Sequence, residues 1–301
     1  MISSLDPSAI AFLNNLNRIG DRMERVQRQL STGFRVARVS DSPPDISTLL
    51  VAKANLDATQ QIQANLSRFQ VETDAAEQTL STAVRLFDQV STLGAEGDTS
   101  LQTAAGRLIL ADQIGSLLQQ MAGLAAISTE GRYIFSGDSD QQIPYTVDPA
   151  QVNPVSSYLG SGATRRAQHP NGTTFPISLT AQEIFDSPDP ATNVFGAILT
   201  LRDALLSNDD ASIQAAVGAL PKVAEHLNRE LAFYGATQNR IAEATDFSHT
   251  LTTQLHAQIS ALQDADIAAA ALELTQAQTQ QQAALTARAR LPRSTLFDYL
   301  G

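Results

Sequence analysis

Four histidines, two close carboxylate pairs and a run of arginines are the residues whose types and spacing could do chemistry. His249 and His256 lie seven apart, so one helix face could carry both. Zinc on a helix takes the i,i+4 spacing of HExxH, and no HExxH occurs. A solvated or interface role is therefore expected for this pair, and His169 and His226 stand apart from it. Asp209-Asp210 reads as a polar connection between helices, with Asp210 able to cap the helix that follows. Asp264-x-Asp266 falls inside a long helical pattern. An acid–base pair needs a pocket that separates two pKa values, and no accompanying motif points to one. Gly160-Ser-Gly162 lacks the spacing of a nucleophile elbow. No P-loop or dinucleotide fingerprint appears. With no cysteine, disulfides, thiolate chemistry and cysteine metal sites are excluded. The expectation is a chain that is not an enzyme, with no catalytic residue, cofactor or metal.

The arginines do not signal nucleic acid. Arg18, Arg22, Arg25, Arg28, Arg35 and Arg38 recur at helical spacing, interleaved with Asp21 and Glu24, as on a solvated helix face. The net charge of −11 is the wrong sign for a general phosphate binder. No run approaches the ~18 apolar residues of a membrane span, so no membrane anchor is expected. Met1-Ile-Ser-Ser-Leu-Asp-Pro7 lacks the basic and apolar regions of a Sec-type signal peptide. An export route that cleaves nothing would leave the same record.

What must position these residues is helix. Neither Gly nor Pro occurs between Asp45 and Leu93, nor between Ala236 and Leu291. Uncapped periodic segments of that length point to coiled-coil packing. Leu16, Ile19, Met23, Val26 and Leu30 follow the 3,4 spacing of a heptad seam. Leu56, Ile62, Leu66, Phe69, Ala76, Leu80, Val84 and Phe87 form a broader stripe, and Leu101 to Ala125 repeats the theme. Leu255, Ile259, Leu262, Ile267, Ala270, Leu274 and Ala277 continue it late in the chain. Gly33 can end the first helix, Ser42-Pro43-Pro44-Asp45 can open the next, and Gly94-Ala-Glu-Gly97 can break the second from the third. From about Tyr133 to Pro190, short β-prone runs and an Asn171-Gly172 turn signal replace the helical pattern. Aromatics make up only 5% of the chain, so a core of Leu, Ile, Val and Ala is expected. The fold class is mainly α: an elongated antiparallel coiled-coil or helical bundle built from both chain ends, with a small β-rich insertion. Two such ends, with no site and no anchor, describe a protein that packs against copies of itself.

Gln29-Leu-Ser-Thr-Gly33-Phe-Arg35-Val36, then Ser40-Asp41-Ser-Pro43, resembles the L-S-S/T-G-x-R-I…D-D-P/A signature that begins members of the flagellin family. Gly235-Ala-Thr-Gln238-Asn239-Arg240-Ile241 is similar to that family's L-G-A-x-Q-N-R. Asp264-Ala-Asp266-Ile267, a Gln/Ala-rich helix and Leu296-Phe-Asp-Tyr-Leu300 match its C-terminal order. Within the family, Gly131-Arg-Tyr133-Ile-Phe135-Ser-Gly137 resembles the G-x-Y-L/I-F-x-G at the entry to the insertion of the hook-associated junction proteins. Tyr158-Leu-Gly160, Glu183-Ile-Phe185 and the Leu-Phe-Asp-Tyr-Leu ending are also on that side. Val84-Arg-Leu-Phe-Asp-Gln-Val90 replaces the L-Q-R-x-R-E-L of filament subunits, and Gln238-Asn239-Arg240 is more like a filament flagellin.

The resemblance implies a secreted, extracellular structural subunit of the bacterial flagellum joining hook to filament. Residues 1–40 with 264–301 would form axial polymerisation helices, 41–131 with 191–263 a helical bundle, and 132–190 a β-rich outward-facing insertion. The assembly interface would use Leu16, Ile19, Met23, Val26, Leu30, Leu262, Ile267, Leu274, Leu285, Leu296 and Leu300. Partners would be copies of the chain, another hook-associated protein and flagellin, with an export chaperone and the type III export apparatus before assembly. The ends, roughly Met1–Val39 and Asp264–Gly301, are expected to order only on assembly. A filament flagellin, a non-flagellar secreted coiled-coil protein and a hydrolase within the insertion are the rival readings.

Overall fold

The structure, a computed structural model, describes residues 7–38, 41–148, 151 and 153–290. The chain divides into two compact units, Met1–Ala58 with Leu251–Gly301, and Thr59–Thr250. Their sequences carry charge very differently. The first holds ten basic and ten acidic residues, the second ten basic and twenty-one acidic, so the whole net charge of −11 belongs to Thr59–Thr250.

In chain order the elements are α1 (Pro7–Thr32), α2 (Pro43–Gly97), α3 (Ala104–Ala125), β1 (Ser128–Thr129), β2 (Arg132–Tyr133), β3 (Arg166–Gln168), β4 (Thr174–Pro176), α4 (Ala181–Phe185), α5 (Val194–Ser207), α6 (Asp210–Gln263) and α7 (Ile267–Arg290). The mainly helical fold with a small β insertion is the one the periodicity predicts. One boundary differs. The Gly/Pro-free stretch from Ala236 to Leu291 reads as one helix, but Asp264–Asp266 divides it into α6 and α7. The carboxylate of Asp266 accepts the Ala269 N–H at 3.0 Å, a cap that starts a new helix where periodicity alone runs on. As expected, α2 ends inside the Gly94–Gly97 stretch, at Gly97. A Cβ on Gly94 would lie 2.9 Å from Leu201, so this glycine serves close packing against α5 rather than a break.

Within Thr59–Thr250, α3 is capped by Thr103, α5 by Asn193, and α5 ends at Asn208 in the left-handed region. Leu80, Phe87, Val90, Ile114, Leu118, Met121, Ile198, Leu201 and Leu227 fill the core between the helices. The rare aromatics are concentrated here. Phe135 stands edge-on to both Phe185 and Tyr234, Phe185 stacks on Phe195, and Phe195 meets Tyr145 edge-on. The expectation of an aliphatic core is thus corrected: an average over the chain conceals a local cluster that anchors the insertion. Pro221 lies inside α6, where it leaves one helical carbonyl without its usual donor.

The strands are shorter than the β-prone runs. β1 and β2 pair through the turn Glu130-Gly131, both at positive φ as a two-residue hairpin requires. β3 and β4 pair around Asn171-Gly172. Of Tyr133–Phe135 only Tyr133 is in a strand, because Ile134 and Phe135 turn into the core and the Phe135 carbonyl accepts from Ala181 instead. Pro144–Val147 makes a single bridge, Val147 to Val155. Glu72 of α2 ties the insertion down, meeting Arg132 and Arg165 at 2.7 Å each. The Arg165 approach is an ion pair without the alignment of a hydrogen bond.

Candidate functional site

The residues that could do chemistry are placed in structural roles. The buried His226 has its Nε2 3.1 Å from the carbonyls of Glu183 and Ile184, so this nitrogen carries hydrogen and binds α6 to α4. Its Nδ1 faces Glu230, whose carboxyl is pushed up by burial. His169 accepts the Asn171 N–H within the β3–β4 turn, and His249 meets Gln63. Asp209 accepts from Ser212, which holds its carboxyl below the usual range, and Asp210 pairs with Arg107 at 2.6 Å. Among the described residues, no group of three or more His, Cys, Asp or Glu could hold a metal. No described helix is long and apolar enough to cross a membrane.

What remains is the helix surface of the terminal unit. The large apolar residues of α1 that are not exposed are Phe12, Leu16, Ile19, Met23, Val26 and Leu30, a 4,3,4,3,4 pattern, with Ala9, Gly20, Arg28 and Gln29 also half-buried. On α7 the described residues that are not exposed are Ala270, Leu274, Ala277, Gln281 and Ala284, again at 4,3,4,3. Three side-chain contacts fix their direction. Arg22 reaches Glu273 and Gln280, and the Arg288 guanidinium lies 5.6 Å over the Phe12 ring. Low numbers on α1 thus meet high numbers on α7, an antiparallel coiled coil with a bulky seam facing a small one. The Arg22–Glu273 pair is half exposed at 3.7 Å, so its contribution is small.

Apolar residues are left over. Ile10, Leu13, Ile267, Leu272 and Leu285 are 45–61% exposed. Of the residues expected at an assembly interface, Leu16, Ile19, Met23, Val26, Leu30 and Leu274 lie in the α1–α7 seam, and Leu262 is half-buried at the end of α6. Ile267 and Leu285 face out of it. Leu296 and Leu300, like Ser40, lie outside the described residues. Phe12, Gln281 and Ala284 join the seam although the sequence pattern did not single them out.

Gly33, Arg35, Asp41 and Asp266 converge where the chain crosses between helix pairs. Gly33, at φ +75°, ends α1 and donates to Gln29. Phe34 bridges Asp264, and the Ala265 N–H donates to the Gly33 carbonyl at 2.8 Å. The Arg35 N–H donates to the Gln263 carbonyl at 2.7 Å, while its guanidinium reaches the Leu262 carbonyl at 2.7 Å and Asp45 at 3.1 Å. These are last carbonyls of α6, which the helix itself leaves without donors. The Ser42 hydroxyl donates to Asp45, and the N–H groups of Arg38 and Ala37 donate to Asp41. The second motif group shapes the insertion: Gly131 turns β1 into β2, Tyr133 donates its N–H to Asp140, and Phe135 is fully buried. Gly137 lies against the 161–163 backbone. Gln238 donates to Asp74, whereas Asn239 and Arg240 are exposed.

The joint has a pH signature. Asp45 is held below the usual carboxylate range by Ser42 first and Arg35 second, Asp41 by the Arg38 N–H. A depressed folded pKa contributes stability above the unfolded value and loses it as pH falls through the folded one. Protection of the joint amides against hydrogen exchange should be level from pH 7 to about 4, and fall only below it. Loss between pH 6 and 7 would remove Asp41 and Asp45 as the cause.

Residues 217–300 match the bacterial flagellin C-terminal helical region. The chain is 25% identical over 280 residues to flagellin FljO of Caulobacter vibrioides, covering 91% of this chain and 88% of that protein. In fold it is similar to a putative flagellar hook-associated protein from Vibrio parahaemolyticus, with a TM-score of 0.63 and 17% identity. That match covers 74% of this chain and 99% of the other. It is also similar to flagellar hook-associated protein-3 from Legionella pneumophila, with a TM-score of 0.62, 12% identity, and coverage of 70% and 98%.

Proposed function

We propose that this chain, which carries the bacterial flagellin C-terminal helical region, is a structural subunit of the bacterial flagellum placed where hook meets filament. The observation that carries the reading is the pairing of both chain ends in one antiparallel coiled coil that still exposes Leu13, Leu272 and Leu285. Apolar residues left on a helix pair invite further helices, and copies of the same chain supply them. Neighbours above and below would be another hook-associated protein and flagellin. The same exposed residues give an export chaperone a reason to cover the C-terminal end before passage through a type III apparatus. On this reading the protein is exported to an extracellular position and performs no catalysis.

The junction position rests on the insertion, whose entry is built by Gly131, Tyr133, Phe135 and Gly137, and on the likeness to hook-associated folds. A filament subunit is the second reading, favoured by the relative FljO and by Gln238-Asn239-Arg240. The chain has no cysteine, so Ser139→Cys, at an exposed insertion site, labels it uniquely. A single band of label between hook and filament is the expected result. Label along the whole filament would transfer the chain to the second reading, and label absent from flagella would end both.

A further inference from the structure

Arg35 belongs to the link after α1, yet its hydrogen bonds go to the end of α6 and the first turn of α2, the former 227 residues away in the chain. We propose that Arg35 is a latch that holds the base of the α1–α7 pair closed in the free chain, so that the terminal helices start in register when neighbours let them zip. This rests on the assembly reading only for its consequence; the latch itself is a property of the single chain.

The need for a latch follows from the seam. α7 offers Ala270, Ala277, Gln281 and Ala284, with Leu274 its one bulky residue, against the larger side chains of α1, and among the described residues of the two helices only Val26, Ala270 and Ala277 are buried. So sparse a seam leaves the helix pair marginal, because helices draw most of their stability from packing. Two obstacles then stand before pairing: nucleating each helix, and bringing together segments far apart in the chain. The joint removes both at one end. Gly33 and Ala265 are already hydrogen-bonded, the Val36 N–H also donates to Gln263, and Asp266 caps the first turn of α7. A heptad slip would break this crossing. Arg35 is placed to hold it, since a cation at a helix C-terminus satisfies the free carbonyls and the helix dipole together. Among the described residues, no hydrogen bond or ion pair of its guanidinium reaches α7, so its effect there passes through the Gly33–Ala265 crossing. It is a positioning residue.

Amide hydrogen exchange on the full-length free chain tests this. The amides of Arg35, Val36 and Ala265 should be protected, while those in the middle of α1 and α7 exchange at least tenfold faster. Arg35→Ala should accelerate exchange at positions 35, 36 and 265 together, by tenfold or more. Arg35→Lys should fall between, keeping the charge and losing the fork, and Arg38→Ala should leave all three unchanged. Phe34 and Asp264 are antiparallel bridge partners, a spacing of about 4.5–5.5 Å that a disulfide tolerates. Phe34→Cys with Asp264→Cys, oxidised in the Arg35→Ala background, should restore protection at 36 and 265, and reduction should remove it. Unchanged protection at 265 in Arg35→Ala, or an oxidised variant that stays open, overturns the latch. Neither result depends on where labelled protein is found on cells.

Discussion

Arg107→Ala should lower the stability of Thr59–Thr250 by roughly 3 kcal/mol, a fall of about 6–12 °C in its melting temperature. Arg107 is 5% exposed, and its guanidinium joins two connections distant in sequence. Its Nε donates to the last carbonyl of α2, Gly97, at 3.0 Å, and Nη1 to Asn208 at 2.9 Å in the turn between α5 and α6. Nη2 meets Asp210 at 2.6 Å. The ion pair is the smallest part of this, because Asp210 is 84% exposed and its charge is screened by water. The larger loss is two polar groups left without a donor and the space vacated by the stem. Asp210→Ala should therefore cost under about 1 kcal/mol, and Arg107→Met about half the full effect. Calorimetry on the three variants checks the ranking. Equal losses for Asp210→Ala and Arg107→Ala would mean the ion pair dominates after all.

Gly137→Ala should be as damaging or worse, at about 2–5 kcal/mol, with the loss local to the insertion. Gly137 has φ +63°, and an added Cβ would stand 2.6 Å from the Ala163 carbonyl and closer still to that of Ser161. Both obstacles are backbone, so no rotamer can relieve them. The segment cannot retreat without cost: the Ser161 N–H donates to the Ser136 carbonyl at 3.0 Å, and the half-buried Tyr158 hydroxyl lies 3.1 Å from the carbonyls of both Phe135 and Ser161, which share its one hydrogen. Burial raises the Tyr158 pKa to about 12, so that hydroxyl stays a donor well into alkaline pH. Gly131→Ala is the control. It shares a positive φ of 77° but meets nothing within 4 Å, so only the conformational cost of about 1–2 kcal/mol applies. Urea unfolding followed by tyrosine fluorescence separates the two. A Gly137→Ala chain as stable as Gly131→Ala would show that the 161–163 backbone yields freely.

Periodicity made the helices legible, and the heptad from Leu16 to Leu30 is the seam seen in α1. It could not find the break at Asp264–Asp266, because no Gly or Pro marks it and the cap acts within two turns that each look helical. Nor could spacing foresee the bond of Arg107 to Asn208, or Glu72 with Arg132 and Arg165, partners separated by 60 residues or more of chain. The aromatic cluster was hidden for a different reason: composition averages over the chain, and a fold need not. Gly33, Arg35, Asp41 and Asp266 were visible only as pieces of a familiar pattern. Their convergence at one crossing supplies the physical reason that the pattern names them.

The uneven distribution of charge has a consequence for a crowded array. Copies lined up side by side place −11 from each Thr59–Thr250 stretch near its neighbours, while the terminal unit adds nothing to the sum. Like charges repel over about 10 Å at 0.1 M ionic strength, and counterions condense to relieve them. The closer such copies stand, the more their Thr59–Thr250 stretches depend on ambient salt for screening.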